Sequence, residues 1–264
     1  MPDEQVKMSK TPNSFLDRLA LRRALSRWSR AARAAHGLDL AELRQLRSDA
    51  RQIRRELNRV LHVADARLTL PVIGADSVPR PLGTDWAWRP ELWRGPIAPA
   101  GIAAAESRAR LGQEATLFHD CKVSELTLRQ IRNTRAEDLA PFGLRLDVFR
   151  FDGSFLSLVL DLPDSALSGL RKSHLVRLDM TVELEKPLEI FCRLNIKHGP
   201  NTEQVVRELP QGMGESWVEF DLAYTRMNEK RVEKAWVDLI FEGPQMNQIV
   251  LRDLTFSRRP RAEL

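Results

Sequence analysis

No run of apolar residues in this chain approaches the ~18 that a membrane-spanning helix needs. Thirteen Gly and 15 Pro among 264 residues are too few for a collagenous or low-complexity chain. The two cysteines, Cys121 and Cys192, exclude a disulfide framework and a four-thiolate zinc site. Both sit in strand-like sequence and read as buried, reduced thiols. A secretory leader pattern is missing too: the stretch after Lys7 and Lys10 is broken by Asp17, Arg18, Arg22 and Arg23. Cytoplasmic is therefore the expected location, and Asp3 and Glu4 argue against an organellar transit peptide.

Catalytic signatures are equally sparse. There is no G-x-S-x-G, no phosphate-binding loop and no dinucleotide fingerprint. His36, His62, His119, His174 and His198 are scattered without metal-ligand spacing, so neither metal nor cofactor is expected. His119-Asp120-Cys121 is the tight cluster of reactive types. Neighbours on a strand point to opposite faces, so Asp120 cannot join the other two, and the cluster reads as structural. The polar loop from Lys197 to Glu203 reads as a turn that could border a site. A carboxylate pair for glycoside hydrolysis is set by distance in space and has no spacing to search for.

What is present is a charge asymmetry. Residues 1–64 carry 14 basic and 7 acidic side chains, and the other 200 residues carry 27 and 29. Composition then marks five segments: a tail at 1–13, a basic helical hairpin at 14–64, a Pro/Trp-rich connecting strap at 65–115, a β-sandwich at 116–258 and a tail at 259–264. The first helix is expected from about Ser14 to His36, with Leu21, Leu25, Trp28, Ala32 and Ala35 on one stripe. Arg18, Arg22, Arg23, Arg27, Arg30 and Arg33 cover the remainder. They are candidates for contact with an anionic membrane surface or another polyanion, set against plain solvation; nucleic acid ranks last. Gly37 fits a left-handed C-cap, and Asp39 with Glu42 resembles a capping box.

The second helix is expected to run to about Ala64. Leu43, Leu46, Ala50, Ile53, Leu57 and Val60 follow a heptad a/d spacing. This stripe admits homo-oligomerisation through residues 43–60. Packing within the chain is the simpler reading.

In the strap, Trp86, Trp88 and Trp93 are expected to be docked rather than free, because an exposed indole forfeits roughly the 2–3 kcal/mol its burial would gain. Residues 97–115 look like an ordinary connector.

From residue 116 onward, short runs alternate apolar and polar, as antiparallel strands do. Parity assigns Val176, Leu178, Met180, Val182 and Leu184 to the core, with Arg177, Asp179, Thr181 and Glu183 outward. Leu188, Ile190, Cys192, Leu194 and Ile196 follow, with Phe191, Arg193, Asn195 and Lys197 outward. Val218, Phe220 and Leu222 oppose Trp217, Glu219 and Asp221; Ala235, Val237, Leu239 and Phe241 oppose Lys234, Trp236 and Asp238. Ser154–Leu162, apolar on both parities, should be a central strand covered on both sides. Eight to ten strands are expected. The fold class is α+β by content but mainly β: a jelly-roll-like antiparallel sandwich behind the helical hairpin and the strap.

Trp217 and Trp236 on the polar parity, each near a carboxylate, supply what stacking on a sugar ring and bonding its hydroxyls requires. The candidate ligand residues are Trp217, Glu219, Asp221, Trp236, Asp238, Arg193 and Asn195. The plainer alternative is that the strap or the helices cover these indoles.

The runs Val232–Glu242 and Ile249–Arg258, the second with Asp253 near its middle, resemble the closing strands of galactose-binding-like and carbohydrate-binding-module sandwiches. That resemblance spans about 140 residues and implies a jelly roll with glycan contact. Phrases such as Leu117–Cys121, Arg150–Phe155 and Asn195–Glu203 make the whole chain similar to an uncharacterised alphaproteobacterial family, which implies no activity. The expected function is non-catalytic recognition of a glycan or cell-envelope polymer. A structural or assembly protein, such as a phage-like decoration or a membrane-associated scaffold, comes second, and an enzyme third.

Overall fold

The computed structural model describes residues 15–68, 78, 80–135, 137–210 and 214–261. The tail at 1–13, the expected helix start at Ser14, most of the strap before Arg80 and the last three residues lie outside the described residues. The chain divides into two compact units, residues 1–63 and 64–264.

In the first unit, helix α1 (Phe15–Ala34) leads through a 3-10 turn (Ala35–Gly37) into helix α2 (Leu40–Leu68). Asp39 caps α2: its Oδ1 accepts the backbone N–H groups of Ala41 and Glu42, both at 2.8 Å. Gly37 is not the left-handed cap expected, since it closes the 3-10 turn and Leu38 leaves in an extended conformation. Among the described residues of the two helices, most side chains that lose surface lie around the turn, at Trp28, Ala31, Ala35, Leu38, Leu43, Leu46, Asp49 and Ala50, with Leu19 and Ala64 the exceptions. Farther out, Leu21 and Leu25 stay 59% and 63% exposed, and Ile53, Leu57 and Val60 stay 42%, 56% and 65% exposed. Packing of the heptad stripe within the helical unit, the simpler expectation, is therefore not observed there. No helix among the described residues is long and apolar enough to cross a membrane.

The second unit is a two-sheet sandwich. In chain order it comprises β1 (Trp86–Trp88), helix α3 (Glu91–Arg94), β2 (Gly101–Ala103), β3 (Ala109–Leu111), β4 (Ala115–His119), β5 (Leu126–Arg132), β6 (Phe142–Val148) and β7 (Leu156–Asp161). Helix α4 (Asp164–Leu167), β8 (His174–Leu184), β9 (Ile190–His198), β10 (Asn201–Glu208), β11 (Gly214–Asp221), β12 (Val232–Phe241) and β13 (Asn247–Pro260) complete it. The first sheet has the order β11-β8-β13-β6-β5-β2, with β1 added beside β13; the second has the order β10-β9-β12-β7-β4-β3. All pairings are antiparallel.

The inward parities expected for β8, β9, β11 and β12 fill the space between the sheets; only Leu184, at the end of β8, is partly exposed. A one-residue slip in any of these strands would drive carboxylates such as Glu219 and Asp221 inward, which is why the register is well determined. Among the described residues there are 13 strands, ten of which (β4–β13) lie in the segment expected to hold eight to ten. The other three, the short strands β1, β2 and β3, lie inside the segment read as a connecting strap, so residues 86–111 are part of the sandwich. At the other end the sandwich runs past Arg258, as β13 reaches Pro260.

Buried polar groups hold that segment down. Trp93 is fully buried and its Nε1 donates to the Leu251 carbonyl at 3.0 Å. Gln130 Nε2 donates to the carbonyls of Leu92 and Gly95 at 2.6 and 2.7 Å, while its Oε1 accepts the Ile97 N–H at 3.0 Å. Arg89, 2% exposed, donates Nε and Nη2 to the two carboxylate oxygens of Asp253 at 2.9 and 2.7 Å. Trp88 stacks on Phe256, with ring centroids 5.7 Å apart.

Farther along β13, Arg258 bonds Asp85 and the carbonyls of Ala166 and Ser168 beside the buried His174. His174 Nδ1 accepts the Arg171 N–H at 3.0 Å, which fixes the neutral tautomer. Burial, aided by the charge of Arg258, holds its pKa below 6.5. A base depressed on folding contributes stability that is complete above its unfolded pKa and is lost as pH falls toward the folded value. The urea midpoint of the protein should therefore drop more steeply below about pH 6.5 than that of His174→Gln. Parallel pH profiles of the two proteins would refute this reading.

Candidate functional site

The antiparallel register decides which outward side chains meet. On the first sheet, Trp217 lies opposite Asp179, and Asp179 opposite Thr255, forming one row across β11, β8 and β13. The next row runs Glu215, Thr181, Asp253. These rows floor a groove of about 880 Å³, one wall of which is the loop carrying Arg135, Glu137, Asp138 and Leu139. Seven carboxylates and three guanidinium groups line it, together with Thr181, Ser216, Gln248 and Thr255.

Two apolar groups face this groove from opposite sides, Trp217 at 49% exposure and Leu139 at 44%. The indole is held in place. The Arg177 guanidinium lies 4.2 Å from its ring centroid and is itself fixed by Asp179, with Nη2 donating at 2.7 Å. Deeper in, Glu183 accepts from Arg135 and from Arg252, the latter at 3.1 Å. Burial pushes the Glu183 pKa up, but the hydrogen bonds and charges of Arg252 and Arg135 outweigh it, and the net shift is downward.

On the second sheet, Trp236 lies between Asn195 and Asp161, and Asp238 between Arg193 and Val159. All of these but Asn195 border a groove of about 670 Å³ that also takes in Phe118, Phe155, Lys197 and Lys234. The polar groups here are engaged with one another. Arg193 pairs with Asp238 at 2.6 Å, Asn195 Nδ2 donates to Asp238 at 3.1 Å, and Lys234 pairs with Asp161 at 2.8 Å while lying 5.7 Å from the Trp236 ring.

The candidate residues thus fall into two groups on opposite outer faces. Trp217, Glu219 and Asp221 belong to the first sheet; Trp236, Asp238, Arg193 and Asn195 belong to the second. Parity assigned in and out correctly but did not say which sheet a strand joins. Two expectations need correction. Asn195 and Asp238 point outward yet are 1% and 3% exposed, because cross-strand neighbours cover them. Glu219 and Asp221 lie outside the groove lining and bind Arg259 at 2.9 Å and Arg261 at 3.4 Å. The indoles of the described part of the strap dock on β13 and the core, and Trp217 stays half-exposed. Ser154–Leu162 yields β7, central in its sheet as expected, but its second side, with Ser157 and Val159, floors the second groove instead of being covered by another element of the sandwich.

The groove residues that sequence reasoning passed over are Arg177, Asp179, Glu183 and the loop at 135–139. The signal for the first three was available, since all lie on the outward parity of β8. On α1, Arg18, Arg22, Arg23, Arg27, Arg30 and Arg33 are all exposed.

His119-Asp120-Cys121 is a structural clamp. His119 Nε2 donates to the Ala105 carbonyl at 2.9 Å and Nδ1 accepts the Cys121 N–H at 3.2 Å. Asp120 accepts from the Ser154 N–H and hydroxyl at 2.7 and 2.6 Å. A Cβ on Gly153 would stand 2.5 Å from Asp120 Oδ1, so this close approach requires glycine. Burial raises the Cys121 pKa and pushes that of Cys192 up to about 12. The loop from Lys197 to Glu203 is a hairpin turn, with Gly199 at φ +60.

Comparison with known proteins places the chain as follows. A family model described as a family of unknown function (DUF6478) matches residues 8–264. No curated protein matches the sequence. The fold is similar to the family 11 carbohydrate-binding module from Clostridium thermocellum in complex with a β-1,3-1,4-mixed-linked tetrasaccharide (TM-score 0.39, 10% identity, 60% of this chain and 96% of that one). It is also similar to the CBM22-1 xylan-binding domain of Paenibacillus barcinonensis Xyn10C (0.35, 12%, 64% and 98%). A further similar structure is the enzymatically active domain of bacteriophage CBA120 tailspike protein 4 (0.39, 6%, 58% of this chain); there the likeness spans 21% of that chain.

Proposed function

We propose that this chain, which belongs to that family of unknown function, is a non-catalytic binding protein that takes a carbohydrate polymer along the groove of its first sheet. The observation that carries the reading is Trp217, a half-exposed indole held from one side by Arg177 at the edge of a groove floored by hydroxyls and carboxylates. An apolar ring face beside hydrogen-bonding groups matches a sugar, whose C–H face is apolar and whose rim carries hydroxyls. The second groove is the weaker candidate, because it is smaller and its indole, Trp236, is less open than Trp217.

Three of the seven carboxylates of the first groove are engaged with arginines, which suits them to binding. A glycosidase needs one carboxyl with a raised pKa as general acid. Here Glu183 is shifted down, Asp179 is tied to Arg177, and Asp253 is tied to Arg89. The described carboxyl whose pKa burial raises, Glu114, does not line this groove.

Trp217→Ala is the test. The side chain is half-exposed, so unfolding stability should change by about 1 kcal/mol or less. Affinity for a polysaccharide found on a glycan array should fall by about tenfold to a hundredfold, the loss expected of a central aromatic contact. Affinity electrophoresis of the two proteins in gels containing that polysaccharide reads the difference. Equal retardation of both, or no glycan bound by the native protein, would overturn the proposal.

A further inference from the structure

Between Glu42 and Val60 the apolar stripe of α2 is narrower than a helix needs to sit on a globular core; Leu40, Leu61 and Val63 widen it only outside that span. From Glu42 to Val60 every apolar residue falls on heptad position a (Leu43, Ala50, Leu57) or d (Leu46, Ile53, Val60), and every a and d position is apolar. Positions b, c, e, f and g are all polar or charged over this span. A helix packed on a globular core carries a wider face that includes e or g, whereas a strict a/d stripe is a coiled-coil seam. Near the turn Leu43, Leu46 and Ala50 are half-buried; beyond it the helical unit leaves the seam uncovered, with Ile53, Leu57 and Val60 roughly half-exposed or more.

The flanking charges identify the occupant. Positions g are Glu42, Asp49 and Glu56; the e positions following the first two are Arg47 and Arg54. In a parallel, in-register pair, each g residue faces the e residue of the next heptad on the neighbouring helix. That sets Glu42 against Arg47 and Asp49 against Arg54 of another copy, twice per helix pair. An antiparallel pair would instead set g against g and e against e, acid on acid and Arg on Arg.

From the seam and these charges we infer that α2 is a self-association element, and that its occupant is the α2 of other copies of this chain in a parallel coiled coil. β-Branched Ile53 and Val60 at d favour three or four strands over two. This goes beyond glycan binding and stands or falls without it.

The full chain at tens of micromolar should sediment as a whole-number multiple of the 30.2 kDa protomer. Ile53→Asp should shift it to the protomer mass. Two charge variants leave the seam itself intact. Arg47→Glu with Arg54→Glu makes both flanks acidic, and Glu42→Arg with Asp49→Arg makes both basic. Each should dissociate more than tenfold more readily than the native protein, and an equimolar mixture should re-associate. Orientation is read in Cys121→Ser with Val60→Cys, where copies should cross-link through residue 60 under mild oxidation only if the helices run parallel, since disulfide geometry requires close Cα atoms. A native chain at protomer mass, or an Ile53→Asp variant with unchanged mass, would overturn the inference. So would an associated Val60→Cys protein that fails to cross-link.

Discussion

Replacing Trp93 by alanine is expected to lower the unfolding free energy by about 3–5 kcal/mol, the range for deleting a large buried aromatic. The indole is fully buried in the sandwich core, so the change opens a cavity and also strips the Leu251 carbonyl of the donor it meets at 3.0 Å. That carbonyl lies on β13 just before its register shift, where the ladder to β8 is interrupted between Leu251 and Asp253 and a lost bond is not made up locally. Trp93→Phe should recover much of the packing but not the hydrogen bond, leaving a deficit nearer 1–2 kcal/mol. Urea unfolding followed by circular dichroism measures both values. A loss below about 1 kcal/mol for the alanine variant would mean that residues 90–97 are dispensable to the sandwich.

The second large effect concerns Asp253. Truncating it to alanine should cost about 3–5 kcal/mol, because the Arg89 guanidinium, its side chain 1% exposed, would remain buried without its bidentate carboxylate. The attraction between the two charges is offset by the cost of removing both from water. The double change Arg89→Met with Asp253→Leu should therefore be far less harmful than Asp253→Ala alone. A double-mutant cycle supplies the comparison, and a double variant as unstable as the single one would sink the argument. Asp253 also lines the floor of the first groove. Its carboxylate oxygens are turned to Arg89 and to the Leu254 N–H, so its role there is to keep the floor in place.

The parts of this molecule legible in the sequence are those where a period of two runs for five residues or more. Val176 to Val182, Ile190 to Ile196 and Ala235 to Phe241 each expose one apolar parity, and all are inward. β1, β2 and β3 are three residues each, too short for any periodicity, and they sit among prolines that argue against strands. What makes them strands is pairing with partners far along the chain, Trp86 with Arg258 and Ile102 with Leu128. The candidate site was half legible for a related reason. Trp217 and Trp236 were correctly placed outward, but sheet membership is set by β11 pairing with β8 and β12 with β9 and β7. The burial of Asn195 likewise comes from register, which sets it opposite Trp236.

The position of β13 has a consequence for how the protein is made. This strand is the last of the sandwich in sequence but not at its edge: it lies between β8 on one side and β6 and β1 on the other. A ribosome delivers it after every strand it must join. The ion pair of Arg258 with Asp85 closes a separation of 173 residues, so the strap cannot seat until the end of the sandwich has emerged. Until then β6 and β8 each present an unpaired edge to the surrounding cell, the condition under which nascent β domains stick to one another. Long-range closure of this kind is also slow, since the entropy of ordering the intervening chain is lost before the pairing compensates for it. The sandwich is therefore expected to close in one late step, after translation of β13, rather than strand by strand as the chain appears.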